Sequence, residues 1–233
     1  MSSAATITRS IAALFPPGVT VAELEGPGNA DLLLAEEAGL VGHAVTKRVR
    51  EFAAGRMCAR LALAEHGVTA VPIKVGQGRQ PLWPPGFTGS ITHTGEYCAA
   101  AVASRAVARS IGIDAEIIGD VKPHLWPSVF SAAEIERLES AAAEQRAAAA
   151  AVIFSAKEAF YKCQYPLTAE FLGFHDVIVE GWHERAALER GEIGEFFVRP
   201  TRRIAFERHA RLPLAGRYRA RGLRVTCGVM LGA

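Results

Sequence analysis

The chain has 233 residues, half of them apolar and 21% charged, which suits one or two globular domains with a sizeable core. Its net charge of +2 argues against a general polyanion-binding protein. No apolar run approaches the roughly 20 residues that a membrane-spanning helix needs. The short apolar segment after Arg9 is cut off by Pro16 and Pro17, so we expect no signal peptide.

The first half of the chain predicts a strand at residues 19–24, then a long helix over 46–65 with Gly67 as its C-terminal cap. The Gly- and Pro-rich stretch 71–89 predicts mostly loop. Apolar strands follow at 90–93, at 97–103 and around Asp114.

The second half opens with a predicted loop that contains Pro123 and Pro127. Ser131 and Glu134 fit a capping box at the start of a helix. A further helix is predicted over 147–162, ending before Tyr165 and Pro166, because the residue before a proline disfavours helix. Alternating runs follow at 176–180, 195–199, 203–208 and 217–230. Each half therefore reads as helix followed by antiparallel strands, which predicts an α+β protein of two similar lobes.

The four cysteines are far apart in the sequence and form no C-x-x-C pair; they are Cys58, Cys98, Cys163 and Cys227. Three of them lie in apolar helical or strand segments, where buried free thiols are usual. We therefore expect a reducing, cytoplasmic protein with neither a disulfide framework nor a zinc site.

The segment IGIDAE, residues 111–116, predicts a strand whose side chains alternate between two faces. One face carries Ile111 and Ile113, and the other carries Gly112, Asp114 and Glu116. Two carboxylates therefore share a face just beyond an apolar run, with a glycine leaving room beside them. Taken alone, such an Asp-x-Glu pair is more often a solvated strand face.

The segment FSAKEAFYK, residues 154–162, predicts a helix on which Glu158 and Lys162 share a face. A third carboxylate and an ammonium could therefore meet the strand pair, and three oxygen donors suit Mg²⁺. Taken alone, a Glu/Lys pair at this spacing is usually an exposed ion pair.

Together with GSITH at 89–93, these segments and their order resemble the 4'-phosphopantetheinyl transferases of the Sfp/EntD type. KRVREFAAGRMCARLAL, residues 47–63, is similar to that family's N-terminal helix with its Phe-x-x-Gly-Arg core. GRQPLWPPGFTGSITH, residues 78–93, resembles the family's Pro-x-Trp-Pro-x-Gly segment and Ser/Thr-His pair. The resemblance covers residues 40–175, and YPLTAEFLGFHD, residues 165–176, resembles the enterobactin-synthase branch.

The resemblance implies a monomer of two α/β lobes related by a pseudo-twofold axis, with an N-terminal lobe of residues 1–110 and a catalytic lobe of residues 111–233. It also implies Mg²⁺-dependent transfer of 4'-phosphopantetheine from coenzyme A to a serine of an apo acyl or peptidyl carrier protein. Adenosine 3',5'-bisphosphate would be released. Siderophore, polyketide, nonribosomal peptide and fatty-acid pathways all remain open.

By the same resemblance, Asp114, Glu116 and Glu158 would hold Mg²⁺ against the diphosphate of coenzyme A, which Lys162 would also contact. Glu158 and Lys162 are thus the expected catalytic residues. Glu158 would act as the general base, either directly or through a water molecule.

The expected contacts to the rest of coenzyme A come from several segments. His93 and Thr92 match the family residues at the adenosine 3'-phosphate, and Arg48 and Arg56, eight apart on one helix face, would clamp phosphate. The remaining candidates for phosphate or nucleotide contacts are Lys74, Arg79 and Lys157. Lys157 could alternatively only balance charge, and Arg50 and Arg60 are expected to be surface charges.

Nine arginines and one acid, Glu207, lie between Arg199 and Arg224. Alternating solvated strand faces are one explanation, and a rim that attracts an acidic carrier protein is the other.

Two other functions fit parts of this pattern. A Mg²⁺-dependent phosphohydrolase of a nucleotide diphosphate would also use acids and basic residues, but it would need no protein acceptor. A nucleic-acid-binding module could use the C-terminal arginines, but the near-neutral net charge and the lack of interleaved aromatic residues argue against nucleic acid as a partner.

Overall fold

The computed structural model describes residues 6–42, 44–182 and 191–233. Within them, helices pack on sheets of antiparallel strands, and the predicted α+β class is confirmed. The chain forms two compact units: unit 1 is Met1–Ala12, Pro16–Ile111 and Gly232–Ala233, and unit 2 is Ala13–Phe15 and Gly112–Leu231. The division into domains of residues 1–110 and 111–233, and a twofold relation between lobes, stay predictions.

Unit 1 is built from one long helix on one sheet. The sheet has the order β1-β2-β6-β5, with β1 Thr6–Thr8, β2 Val19–Glu25, β5 Phe87–Thr94 and β6 Tyr97–Ser104. Helix α2, Thr46–Ala64, packs against it through apolar residues such as Cys58 and Leu63. The small side chains of β6, chiefly alanines, are buried, so helix and sheet approach closely.

The smaller elements of unit 1 include a short ribbon within the predicted loop. Helix α1 spans Ala35–Ala38, and β3, Lys74–Val75, pairs with β4, Pro81–Leu82, as a short ribbon. The prediction that 71–89 is mostly loop is confirmed, since most of these residues lie in neither helix nor strand, and the stretch also holds this ribbon and the start of β5. Pairing with β6 begins at Phe87, because strand register is set by the partner strand rather than by local Gly and Pro content.

Unit 2 has a larger hydrophobic core than unit 1, and its longest helix lies in that core. Its sheet has the order β7-β11-β10-β9-β8, with β7 Ala108–Ile117, β8 Val177–Glu180, β9 Ile193–Pro200, β10 Leu214–Arg221 and β11 Arg224–Gly232. The helices are α3 Trp126–Val129, α4 Ala132–Ser140 and α5 Ala143–Thr168. Ile153, Phe160 and Phe196 are fully buried in this core.

Helix α5 is longer than predicted and includes Pro166 in its last turn. The prediction that it ends before Tyr165 is wrong. Pro166 cannot donate to the Lys162 carbonyl, so one backbone bond of the helix is missing. Side-chain bonds hold the turn that follows: Thr168 Oγ1 donates to the Gln164 carbonyl, and Gln164 Nε2 donates to the Glu170 carbonyl at 2.9 Å. Ala169 then ends the helix in the left-handed conformation, with φ of 52°.

Two other segments also differ from the prediction. The region of Pro123 and Pro127 forms a 3₁₀-helix, Pro123–Leu125, followed by α3, because proline is compatible with the first turn of a helix. The run 203–208 contains a 3₁₀-helix at Ala205–Arg208, whose start is held by the Ile204 N–H bonded to Glu207.

Several predicted local features are confirmed. Ser131 and Glu134 form the capping box of α4, and all four cysteines are buried free thiols. None of the described helices combines the length and the apolar run needed to cross a bilayer.

A buried glutamate near the start of a short helix ties unit 1 together. Glu37 of α1 accepts hydrogen bonds from the backbone N–H groups of Leu34 and Ile73, at 3.1 and 2.9 Å. Its other partner is the guanidinium of Arg60 on the long helix α2. Arg60 therefore neutralises a buried carboxylate, and the prediction that it is a surface charge is wrong.

The same arrangement recurs inside unit 2. Glu134 of α4 accepts hydrogen bonds from the backbone N–H groups of Ser131 and Val179, both at 2.8 Å, and pairs with Lys157 of the long helix α5. In each unit, one carboxylate thus joins a short helix, a neighbouring extended segment and the long helix. This internal likeness supports the prediction of two similar lobes.

Strand β7 and helix α5 approach each other most closely at Gly112. A Cβ atom at this position would lie 1.8 Å from the Ala159 carbonyl oxygen and 2.8 Å from the Cys163 backbone nitrogen. Backbone atoms in the middle of a packed helix have no room to yield, so no side chain fits here. The absence of a side chain at residue 112 therefore sets the distance between this strand and this helix.

We predict that Gly112→Ala lowers the free energy of unfolding by at least the roughly 1–3 kcal/mol typical of overpacked cores, because strand and helix must separate. Gly232→Ala is the matched control, since a Cβ there meets no atom within 4 Å. Urea unfolding of both variants checks this. Equal stability of Gly112→Ala and the control would contradict the close contact.

Candidate active site

Strand β7 carries two acidic residues where it leaves the core. Asp114 is 4% exposed and Glu116 is half-buried, while Ala115 between them is buried. Residues 111–115 are all buried, so the strand has no solvated face at this point. This excludes the simpler interpretation of Asp114 as part of an exposed Asp-x-Glu pair.

Helix α5 brings a carboxylate and an ammonium to the same place. The Lys162 Nζ atom lies 2.6 Å from Asp114 Oδ1, and both Lys162 and Glu158 are half-buried. The predicted meeting of the strand acids with the helical Glu/Lys pair is thus present within unit 2. An ion pair removed from bulk water in this way is stronger than an exposed one.

The carboxylates of this cluster repel one another. Burial, together with the charge of Asp114, raises the pKa of Glu116 to about 7, against a partial opposing effect of Lys162. Burial and Asp114 also raise the pKa of Glu158, again opposed by Lys162. Three acids and one ammonium leave the cluster short of positive charge near neutral pH.

The chemistry of these donors fits Mg²⁺, which prefers carboxylate oxygens and would relieve the repulsion. The arrangement of these donors supports a metal site less strongly than their chemistry does. Among the described residues, no group of three or more His, Cys, Asp and Glu side chains is placed to hold a metal ion. The positive charge next to Asp114 is that of the Lys162 ammonium. The shared cation therefore stays a prediction.

An apolar cavity of about 290 Å³ adjoins this cluster. Glu158 and Tyr161 line it from α5, and Phe171, Leu172 and Phe174 line it from the segment that follows the helix. Phe171 is 76% exposed, and its ring meets that of Tyr161 edge to face at 6.0 Å between centroids. The cavity can take an apolar chain whose charged end lies at the acidic cluster.

Lys157 does not point toward the acids of β7. Its ammonium is buried and donates to Glu134 Oε2 at 2.8 Å and to the carbonyls of Val129 and Phe174, at 3.0 and 2.9 Å. Burial lowers the pKa of Lys157, and Glu134 counteracts the effect. Since an ammonium has three donors, this geometry favours charge balance over phosphate contact.

In unit 1, the predicted phosphate ligands His93 and Arg48 lie together. Arg48 Nη1 is 3.0 Å from His93 Nε2 and 3.5 Å from Glu51 Oε2. Thr92 is buried next to the exposed His93 on β5. A guanidinium and an imidazole at a partly exposed position can bind a phosphate group.

A cavity of about 380 Å³ lies beside His93 in this unit. Thr46, Lys47, Arg50 and Glu51 line it from the first turns of α2. The cavity lining carries charges of both signs: the cations Lys47 and Arg50, and the acids Glu51 and Glu96.

The two arginines of the predicted phosphate clamp have different surroundings: Arg48 lies beside His93, whereas Arg56 is buried. Arg56 is 7% exposed, donates to the Ile73 carbonyl at 3.0 Å, and lies 3.9 Å from the centroid of the Phe52 ring. Burial lowers its pKa to about 10. These contacts give Arg56 a structural role within unit 1, and a phosphate contact by Arg56 stays a prediction.

Lys74 and Arg79 are exposed on the β3–β4 ribbon. The Arg79 N–H donates to the Gly76 carbonyl at 2.9 Å, and its φ of 65° fixes a tight turn. The structure thus presents both cations on one surface ribbon of unit 1, and their nucleotide contacts stay predictions.

The positions of Arg56 and Lys157 relative to buried apolar residues on the same helix indicate that both side chains point inward. Arg56 lies four residues after Phe52 and three before Ala59, and both of these are buried. Lys157 lies three residues before the buried Phe160. A cation within an apolar stripe of a helix is expected to point into the core and find partners there.

Comparison with known protein families gives two matches that together span most of the chain. A model described as "4'-phosphopantetheinyl transferase N-terminal domain" matches residues 36–103. A model described as "4'-phosphopantetheinyl transferase superfamily" matches residues 110–218. The second match contains the acidic residues of β7 and the Glu/Lys pair of α5.

Two curated relatives carry the same name, and a third is named as a component of enterobactin synthase. The chain is 43% identical over 167 residues to 4'-phosphopantetheinyl transferase Npt of Nocardia iowensis, across 71% of this chain and 74% of the relative. It is 40% identical over 165 residues to 4'-phosphopantetheinyl transferase PptT of Mycobacterium tuberculosis, across 69% of this chain and 65% of that relative. It is 36% identical over 170 residues to enterobactin synthase component D of Escherichia coli K12, across 72% and 79%.

The raised pKa of Glu116 predicts a pH-dependent stability. A carboxyl group that holds its proton more tightly in the folded state stabilises the fold below its unfolded pKa, and this contribution is lost as pH rises toward 7. The free energy of unfolding of the wild-type protein should therefore fall, relative to Glu116→Gln, between pH 5 and about 8. Urea unfolding without divalent cations measures it, and parallel pH profiles for the two proteins would contradict the coupling.

Proposed function

Because the chain belongs to the 4'-phosphopantetheinyl transferase superfamily, and so is a 4'-phosphopantetheinyl transferase, we propose that it moves 4'-phosphopantetheine from coenzyme A to a serine of an apo carrier protein. Adenosine 3',5'-bisphosphate is the proposed second product. The observation that supports this most is the 2.6 Å contact of Lys162 with Asp114 beside Glu116 and Glu158. This contact brings the acids of β7 together with the Glu/Lys pair of α5, and these are the groups that the reaction needs at the diphosphate.

The diphosphate is the charged part of the substrate, and the acidic cluster is its proposed site. Mg²⁺ held by Asp114, Glu116 and Glu158 would neutralise charge on the diphosphate oxygens. Lys162 would contact the same diphosphate with its ammonium. Lys162 donates a hydrogen bond to Asp114 in this structure. We propose that its ammonium leaves this carboxylate and bonds a phosphate oxygen when coenzyme A binds.

Deprotonation of the attacking serine is assigned to Glu158. Burial raises the pKa of Glu158, but Mg²⁺ held by the same carboxylate would lower its proton affinity again, so the role rests on the position of Glu158 beside the diphosphate site. The serine proton would pass to the Glu158 carboxylate directly or through one water molecule.

The two ends of coenzyme A would occupy different cavities. The apolar cavity lined by Tyr161, Leu172 and Phe174 suits the pantetheine arm, since it begins at Glu158. The 3'-phosphate would bind Arg48, Thr92 and His93, and Lys74 and Arg79 would contact the nucleotide.

The acceptor is proposed to be an acyl or peptidyl carrier protein of a siderophore, polyketide or nonribosomal peptide pathway. A relative named enterobactin synthase component D supports the siderophore class. We further propose that the enzyme works as a cytoplasmic monomer that binds no nucleic acid.

Transfer is tested by incubating the protein with coenzyme A, Mg²⁺ and candidate apo carriers, followed by mass spectrometry for the phosphopantetheine increment. Glu158→Gln should lower turnover by about 100- to 10,000-fold, the usual effect of losing a general base. Asp114→Ala should act in the same direction.

The matched control is Glu139→Gln, an acid on the exposed part of α4, which should retain wild-type turnover. Wild-type turnover in Glu158→Gln at saturating Mg²⁺ would remove the proposed mechanism. Release of adenosine bisphosphate without any carrier would favour the phosphohydrolase instead.

The phosphate ligand Arg48 is tested with a substrate that lacks the phosphate. Arg48→Ala should raise the KM for coenzyme A about tenfold or more, because a hydrogen bond to a charged group contributes about 1.5–3 kcal/mol. The KM for dephospho-coenzyme A should not change. Arg105→Ala, an exposed cation in a turn of unit 1, is the control. An equal rise for both substrates would contradict the assignment.

A further inference from the structure

Unit 2 contains a buried ion pair that the proposed chemistry does not use. The side chains of Lys157 and Glu134 are 1% and 2% exposed, and their charged atoms lie 2.8 Å apart. Burying such a pair is expensive, because the loss of hydration often exceeds the attraction between the charges. A contribution to stability therefore does not explain this ion pair, and its position beside the proposed substrate cavity needs another explanation.

Every donor of the Lys157 ammonium has a partner in a different segment. One is Glu134, one is the carbonyl of Val129 at the end of α3, and one is the carbonyl of Phe174. Phe174 begins the short 3₁₀-helix that follows Gly173, and both residues line the apolar cavity. Lys157 therefore bonds directly to the backbone of the cavity wall.

Glu134 holds the other side of the same wall. Its Oε1 atom accepts the Val179 N–H of edge strand β8, and its Oε2 atom accepts the Ser131 N–H and hydroxyl together with Lys157. The segment from Phe174 to Val179 is thus bonded to the pair at both ends. A change in the pair would release the wall from α5.

The position of the pair along α5 couples the wall to the reacting groups. Lys157 directly precedes Glu158, and the Phe154 ring, one turn earlier, stacks on the Phe174 ring at 5.3 Å between centroids. The helix turn that carries the proposed base is therefore the turn that anchors the wall. Displacement of the wall would change the width of the cavity beside Glu158.

We propose that Lys157 and Glu134 are positioning residues: they hold the Gly173–Phe174 wall against α5, so that the cavity is shaped in advance for the pantetheine arm. Lys157 is itself among the residues that line the cavity, but its ammonium already donates to three protein acceptors, so its charge is not assigned a contact with the arm. The inference rests on the proposed function, since it assumes that the arm enters this cavity. Preformed cavities bind more tightly because no ordering of the wall is left to occur on binding.

Unit 1 supplies a matched control in the form of Glu37 and Arg60. This pair also joins a short helix, a backbone N–H group and the long helix of its own unit. It lies within unit 1, whereas the proposed arm cavity lies within unit 2. Loss of either pair should destabilise the protein, but only loss of Lys157 and Glu134 should affect recognition of the arm.

The experiment compares two ligands by isothermal titration calorimetry: coenzyme A, and adenosine 3',5'-bisphosphate, which lacks the pantetheine arm. The ratio of their dissociation constants isolates the contribution of the arm. It is measured for the wild type, for Lys157→Met/Glu134→Gln and for Arg60→Met/Glu37→Gln, well below each unfolding midpoint. Glu134→Gln alone, which keeps an oxygen acceptor, replaces the double variant if that does not fold.

We expect the preference for coenzyme A to fall at least tenfold in the Lys157/Glu134 variant, with bisphosphate affinity retained. The control should keep the wild-type ratio. An unchanged ratio in the Lys157/Glu134 variant, or an equal fall in both variants, would overturn the inference. A wild-type protein that binds neither ligand would instead contradict the proposed function, and the inference with it.

Discussion

The contact between Gly112 of β7 and the backbone of α5 is the constraint on which the candidate active site depends. With a Cβ-free residue against the Ala159 carbonyl, the strand lies close enough for Lys162 to reach Asp114 at 2.6 Å. Burial, together with the charge of Asp114, then raises the pKa of both Glu116 and Glu158. A larger residue at 112 would separate strand and helix, and with them the two halves of the acidic cluster.

Buried carboxylates contribute to the structure in two different ways. Glu37 and Glu134 are fully satisfied by backbone N–H groups and by a cation of the long helix, so each stabilises its unit. Among the described residues, the acids of the β7 cluster outnumber the ammonium of Lys162 beside them, and they repel one another. An excess of buried like charge is typical of a site that receives a cationic or proton-carrying partner, rather than of a structural network.

The sequence predicts the local geometry of the site better than the environment around it. Periods of two and four residues suffice to place Asp114 with Glu116, and Glu158 with Lys162, because they reflect backbone geometry. The eight-residue spacing of Arg48 and Arg56 predicts a shared helix face but not the contacts of each side chain, and Arg56 stacks on Phe52 in the core. Likewise, the proline rule failed at Pro166, because side-chain bonds of Gln164 and Thr168 hold the last helical turn together although the backbone bond to the Lys162 carbonyl is missing.

Paramagnetic broadening by Mn²⁺, used in place of Mg²⁺, tests most directly whether the strand and the helix share one cation. The measurement follows backbone amide resonances of the protein with coenzyme A bound, as Mn²⁺ is added in small amounts. The account predicts that broadening begins at Asp114 to Glu116 on β7 and at Glu158 to Lys162 on α5, and at neither element alone. Broadening confined to other regions, or spread evenly over the protein, would contradict it.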